Sequence, residues 1–340
     1  MKAMKLVEFG KPLQMVESEL LPLLDDNVLV KVEACGVCHS DLHVVDGLIS
    51  DRSIRLPITL GHEVAGKVEA KGRSVTEFEV GDRVVVYPSI GCGVCRFCEA
   101  GLDNLCGKAK LLGLDIDGGY AEYVVVPNQR YIVKYDGLKP EEAGVLACSG
   151  ITALQALKQA QIKPDEIVVI IGAGGLGGMA IQLAKSLTAS TIVVLDIDDK
   201  KLTYARNLGA DYTINPACED VPAVLNEVFK GKRANAIIDF VGSTETIETA
   251  LKIIGKGGRL VAIGLFGGLL KMQIPFLTTM AINIKGSVLG TLTDLREMIH
   301  LASRGIVKPV ISASFRLDQV NEALFNLRKG EIVGRAVIKP

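Results

Sequence analysis

Tryptophan is absent from this chain, and seven tyrosines and nine phenylalanines bring aromatic residues to only 5%. A core of any size therefore rests on Val, Ile, Leu and Ala. Charge of one sign is missing too: 38 Lys and Arg face 39 Asp and Glu, so there is no basic field for nucleic acid and no acidic tail. No uninterrupted apolar run reaches membrane length although 49% of the residues are hydrophobic, which predicts a substantial internal core rather than a spanning helix. No targeting segment is visible, and the expected location is the cytoplasm, a reducing compartment. Internal repeats and low-complexity tracts are also absent. The 340 residues have the length of two domains, and they include eight cysteines and four histidines.

Four of the cysteines, Cys92, Cys95, Cys98 and Cys106, read as C-x2-C-x2-C-x7-C inside YPSIGCGVCRFCEAGLDNLC. Four soft thiolates at that spacing predict a closed tetrahedral zinc site that folds a lobe, at about residues 90–108, and does no chemistry. Disulfides are the competing use of an even number of cysteines. The length of the chain and its expected compartment argue against them.

A second set is dispersed. Cys38 lies in EACGVCHSDLH, His62 in LPITLGHEVAGKV and Cys148 in GVLACSGITAL. Singly, each has a plain alternative as a buried thiol or a hydrogen-bonded core histidine. His39, Ser40, Asp41 and His43 crowd behind Cys38, however, and Glu63 follows His62, a density of ionisable groups that predicts a site. Three ligands with the fourth position open to water or substrate are the pattern of a catalytic zinc. Cys35 and Cys38 also spell C-x-x-C, as in a redox pair, but the surrounding small redox domain is missing. Cys35 and Cys218 are read as packing residues.

A third signal follows Cys148. The apolar run Ile167 to Ile171 reads as a buried parallel strand, and Gly172, Gly174, Gly175 and Gly177 in GAGGLG fit G-x-G-x-x-G opening a helix. Such a turn lets the backbone approach a pyrophosphate, with the helix N-terminus aimed at its charge. A second run, Thr191 to Leu195, ends in Asp196, whose carboxylate suits a ribose 2'-hydroxyl and would repel a 2'-phosphate, so the expected cofactor is NAD rather than NADP. The alternative for Asp196 is a helix cap.

Short alternating runs such as VLVKVEA, EVAGKVEA and DRVVVYP fill residues 1 to about 149 and suit an irregular, mostly antiparallel barrel. From about 150 the rhythm becomes strand then helix: IVVII, TIVVLD, DYTIN, AIIDFV, RLVAIG and NIKGSVLG, with helices at Asp198 to Leu208 and Thr244 to Ile254 between them. Six buried strands with crossover helices predict a doubly wound parallel sheet, making the class α/β plus β. Beyond Gly286, helices at Leu292 to Arg304 and Leu317 to Lys329 alternate with strands at Val310 to Phe315 and Arg335 to Ile338.

The motifs GHEVAGKVEAKG, the four-cysteine lobe, DGGYAEYVVVP and GAGGLG stand in that order along the whole chain. In this the chain resembles the zinc-dependent alcohol dehydrogenases of the medium-chain dehydrogenase/reductase family, and ACSGIT around Cys148 is most similar to their tetrameric prokaryotic and archaeal branch. The resemblance implies a discontinuous GroES-like catalytic domain, residues 1–149 and 287–340, around a Rossmann NAD-binding domain, residues 150–286. It also implies two zinc ions per subunit, NAD, an alcohol, aldehyde or ketone as substrate, and a homotetramer, with a dimer as second choice.

Residue by residue, the resemblance makes Cys38, His62 and Cys148 the catalytic ligands and Glu63 a carboxylate able to approach the metal. Asp41 becomes the acid that orients the ligating imidazole. Ser40 becomes the hydroxyl at the substrate oxygen and His43 the imidazole that passes the proton to solvent. Asp196 and Lys201 would hold the adenosine ribose and Arg335 the pyrophosphate. His39 falls where many relatives carry arginine and would grip the pyrophosphate less firmly. Polyol or sugar dehydrogenases share this pattern. Zinc-free enoyl or quinone reductases share the sheet but lack the metal ligands. Ser89 and Leu111, expected near the substrate, are small enough to favour larger or branched alcohols.

Overall fold

The computed structural model describes residues 1–20, 22–48 and 54–340. The chain forms two compact units, one of Met1–Ile151, Thr291–Gly305 and Pro309–Pro340, the other of Thr152–Gly290 with Ile306–Lys308.

The first unit is built on a seven-stranded sheet whose path runs Ile132–Lys134, Arg83–Val86, Glu63–Lys71, Val28–Val37, Arg335–Lys339, Ile311–Arg316, with Tyr123–Val126 also pairing to Val28–Val37. All its pairings are antiparallel except that of the last two strands on the path. Val28–Val37 is its centre, and Val28, Val30, Ala34 and Cys35 on it are fully buried. A smaller sheet joins Gln14–Glu17, Lys2–Leu6 and Ile58–Thr59. The register between Val28–Val37 and Glu63–Lys71 slips twice, and each slip redirects side chains that a regular ladder would hold on one face.

The second unit is a six-stranded, wholly parallel sheet in the order Tyr212–Ile214, Thr191–Leu195, Ile167–Ile171, Ala234–Asp239, Ile254–Ala262, Asn283–Gly286. This is the doubly wound order in which the chain reverses direction beside its first strand. Apolar runs make these strands because both faces are covered: Val169, Val193 and Ile237 are fully buried in one aliphatic cluster with Leu225, Ile247 and Ile253 from helices. The strand expected at Arg259 begins five residues earlier, at Ile254, because a register shift between Ala234 and Ala236 accommodates the glycines Gly255, Gly257 and Gly258. The helix expected from Leu317 opens as a 3-10 turn, Leu317–Gln319, before Val320–Arg328.

Candidate metal centres and cofactor turn

Cys38 directly follows the central strand and stands at the N-cap of the short helix His39–Val45, whose third residue, Asp41, accepts the Cys38 backbone N–H at 3.0 Å. This reciprocal cap fixes the thiol at the strand end. His62 follows Gly61, which is held at φ +92°, and Glu63 opens the neighbouring strand opposite Gly36. Both glycines are needed for the approach: a Cβ at Gly36 would stand 1.9 Å from Glu63 Oε2, and one at Gly61 would stand 2.6 Å from the Tyr120 ring and 2.8 Å from Cys35 Sγ. Cys148 sits in a π-helical turn, Leu146–Gly150, between the helices Pro140–Val145 and Ile151–Ala160. Such widened turns recur at functional sites.

One ligand atom each from Cys38, His62, Glu63 and Cys148 lies within 4.8 Å of all the others, and all four residues are buried. The electrostatics fit a cation. The hydrogen bond with Cys148 holds the Cys38 thiol well below its ordinary pKa, helped by His62 and Arg335 against the cost of burial. Burial alone would lower the His62 pKa, but Asp41, 3.3 Å from Nδ1, and Cys38 push it up to about 10. The negative field that holds a proton on His62 equally favours a divalent ion, so metal uptake must release protons. The Glu63 carboxylate, fully buried, is paired with the guanidinium of Arg335 from the C-terminal strand. Cys35 stays outside the cluster; burial raises its thiol pKa well above the usual value, and it makes no disulfide with Cys38.

Ser40 Oγ is 3.7 Å from Cys38 Sγ, His43 is half-buried on the same helix, and His39 is exposed at its start. Asp41 is completely buried, and Tyr120 donates its hydroxyl to Asp41 Oδ2 at 2.7 Å. Nothing local in the sequence marked Tyr120, since its partner is 79 positions away.

The ligand atoms of Cys92, Cys95, Cys98 and Cys106 also lie within 4.8 Å of one another. Cys95 and Cys98 Sγ are 3.6 Å apart. That suits two sulfurs on one zinc, since bonds of about 2.3 Å at tetrahedral angles separate them by about 3.8 Å. The backbone N–H of Cys92 pulls the Cys106 thiol down to about 6, while burial pushes Cys98 up to about 12. The lobe is fastened by Arg130, whose Nη2 is 3.0 Å from both oxygens of the buried Asp103 and 3.1 Å from the Cys98 carbonyl. Neither Arg130 nor Asp103 carried a sequence signal. Ser89 is buried with its hydroxyl on the Asp103 carbonyl, at the root of the lobe, in register with Leu111. Cys218, read as packing, is exposed.

In the second unit the turn after Ile167–Ile171 is made by glycines with distinct reasons. Gly172 has φ +92°, and a Cβ at Gly177 would lie 1.9 Å from the Gly172 carbonyl oxygen. A Cβ at Gly174, by contrast, meets nothing within 4 Å. Gly174 caps the helix Gly175–Leu187, whose first N–H groups therefore border open space able to take a phosphate. Asp196 accepts from Ala173 N–H at 2.8 Å and Asp198 N–H at 3.0 Å, one bond to each oxygen, and so ties the glycine turn to the end of the second strand. Lys201 is half-buried on the helix Asp199–Asn207. Asp239, unremarked in the sequence, is buried at the end of the adjacent strand and takes the N–H groups of Val241 and Gly242 and the Thr246 hydroxyl.

Residues 24–137 match the model of the alcohol dehydrogenase GroES-like domain, and residues 175–304 match that of the zinc-binding dehydrogenases. An NAD-dependent alcohol dehydrogenase of Sulfurisphaera tokodaii is 40% identical over the full length of both chains. The chain belongs to the zinc-dependent alcohol dehydrogenases of the medium-chain dehydrogenase/reductase family. Within that family, the alcohol dehydrogenase of the archaeon Aeropyrum pernix superposes with a TM-score of 0.94 at 36% identity, covering 100% of each chain. A cobalt- and zinc-bound thermostable alcohol dehydrogenase from Pyrobaculum aerophilum superposes at 0.90 with 30% identity, over 100% of this chain and 99% of that one. The GroES-like and Rossmann architectures expected from the sequence are those of the family.

Proposed function

We propose that this chain catalyses reversible hydride transfer between an alcohol and NAD, giving an aldehyde or ketone and NADH, with one zinc at Cys38, His62 and Cys148 and a second in the four-cysteine lobe. The observation that carries the reading is the buried convergence of two thiols, an imidazole and a carboxylate within 4.8 Å. A bound zinc supplies a Lewis acid there, and a bound NAD supplies the hydride acceptor. The chain's own residues do the rest. Ser40 stands beside Cys38 to take the hydroxyl proton of the substrate, and His43, three positions along the same helix, hands it to solvent. Asp41 holds the His62 ring, and Glu63 with Arg335 sets the charge behind the ligands.

The glycine turn and helix start take the pyrophosphate, Asp196 and Lys201 the adenosine ribose, and exposed His39 a weaker hold on the phosphates. Contact of Arg335 with the pyrophosphate would have to share its guanidinium with Glu63. The Asp196 carboxylate favours NAD over NADP, in keeping with the NAD dependence named for the relative from Sulfurisphaera tokodaii. Among the described residues no helix is long and apolar enough to cross a membrane. None of the eight cysteines forms a disulfide, which is in keeping with a cytoplasmic, reducing setting. Exposed Leu265, Leu269, Leu270 and Ile274, ahead of the edge strand Asn283–Gly286, support self-association, as a homotetramer by likeness to the family or else a dimer.

The deciding experiment is an assay of primary, secondary, aromatic and polyhydric alcohols and their carbonyl products with NAD and NADP on zinc-replete protein. Turnover of simple alcohols with NAD, far above that with NADP, is the expected result. Reduction of conjugated double bonds without alcohol oxidation overturns the reading. A second measurement concerns the relay. His43→Gln is expected to lower turnover most at low pH, where hydroxide is scarce and the proton leaves only through a base, with zinc content intact. An unchanged pH profile removes His43 from the reaction.

A further inference from the structure

Behind the dispersed metal ligands lies a completely buried carboxylate with more partners than a ligating histidine requires. Asp41 Oδ1 faces His62 Nδ1 at 3.3 Å, while Oδ2 accepts two hydrogen bonds, from the backbone of Cys38 at 3.0 Å and from the phenol of Tyr120 at 2.7 Å. One carboxylate thus touches two of the three ligand residues and is also held by the phenol of Tyr120. The phenol is itself immobilised. Tyr120 is fully buried, its backbone N–H is bonded to the Leu60 carbonyl and its carbonyl receives the Met4 N–H. Its ring lies so close to the chain before His62 that a Cβ on Gly61 would be 2.6 Å from it. Burial and the Asp41 charge raise its pKa well above the ordinary phenol value, so it remains a donor across the working pH range.

We propose that Tyr120 is a positioning residue of the metal centre: its hydroxyl holds the Asp41 carboxylate in the rotamer that orients His62 and the Cys38 strand end together. The inference rests on Cys38, His62 and Cys148 holding a metal. A carboxylate bonded only by Cys38 N–H and His62 could rotate about its Cβ–Cγ bond, and the imidazole would follow. The phenol, fixed on an independent segment, removes that freedom. Partners of this kind are worth about 10-fold to 100-fold in metal affinity, and loss of one of three contacts places Tyr120 at the lower end.

The test is Tyr120→Phe, which deletes one oxygen and keeps the buried ring. Zinc release from the holoenzyme to a chromophoric chelator is followed in parent and variant, together with the sulfur-to-metal absorption of the cobalt-substituted enzyme. The expected result is a release about 10-fold faster from one of two sites, an unchanged rate from the four-cysteine lobe, a shifted cobalt spectrum, and lowered kcat with the KM for NAD unchanged. In an Asp41→Ala background the same substitution is expected to add nothing. Identical release and spectrum in parent and variant overturn the role of Tyr120, as does an equal acceleration at both sites, which marks general loosening. A parent enzyme that binds metal only in the lobe overturns the metal reading and this inference with it.

Discussion

Cys148→Ser is expected to leave an enzyme that folds, keeps about one zinc per subunit in place of about two, and has lost turnover by on the order of a thousandfold. The argument is local. Cys148 is buried, it lowers the pKa of Cys38 by its hydrogen bond, and it is the proposed ligand carried by the π-helical turn. A serine hydroxyl stays protonated where a thiol ionises and binds zinc poorly. Without the ion the substrate oxygen loses a stabilisation of several kcal/mol, on the order of 10^3 in rate. The lobe is built from Cys92, Cys95, Cys98 and Cys106, a cluster that does not include Cys148, and is fastened by Arg130 and Asp103, so the zinc proposed there is expected to stay. Metal analysis beside steady-state kinetics checks both halves. Full turnover with two zinc ions in the variant would overturn the assignment of the ligand set.

Two alanine substitutions in the glycine turn are expected to separate folding from cofactor binding. At Gly177 a methyl group would lie 1.9 Å from the backbone oxygen of Gly172. Backbone cannot step aside cheaply, so the turn must open, with a lower Tm and NADH affinity reduced by about 100-fold, or about 2.7 kcal/mol. At Gly174 the same methyl meets no protein atom within 4 Å, and the residue's φ of −75° is open to alanine. Gly174→Ala therefore leaves Tm unchanged and weakens only NADH binding, because the methyl occupies the space the pyrophosphate needs. Fluorescence titration with NADH and thermal melts distinguish the cases. Equal affinity in parent and Gly174→Ala would mean that the cofactor does not lie over this turn.

The legible parts of the molecule were those encoded by near neighbours. Val168, Val169 and Ile170 announce a strand covered on both faces, and the spacing of Cys92 to Cys106 announces a lobe, because a strand or a zinc loop is a local object. Cys38 and His62 were legible through the polar residues clustered beside them. Tyr120, Arg130 and Asp103 were not, since each acts through a partner tens of positions away and looks alone like an ordinary core or surface residue. The π-helical turn at Cys148 has no compositional marker, and the early start of the strand at Ile254 hides among glycines that read as a turn. Cys218 misled for the opposite reason: a lone thiol suggests burial by frequency, and this one lies on an exposed stretch.

The position of the final strand sets an order of assembly during synthesis. Arg335–Lys339 lies inside its sheet, between Val28–Val37 and Ile311–Arg316, and brings the cation that neutralises Glu63. Nearly all of the parallel-sheet unit, Thr152–Gly290, is one continuous stretch that leaves the ribosome earlier. The unit that carries Cys38, His62 and Cys148 can thus close only after Arg335–Lys339 has been made, and the carboxylate beside the proposed ion site lacks its counter-charge until then.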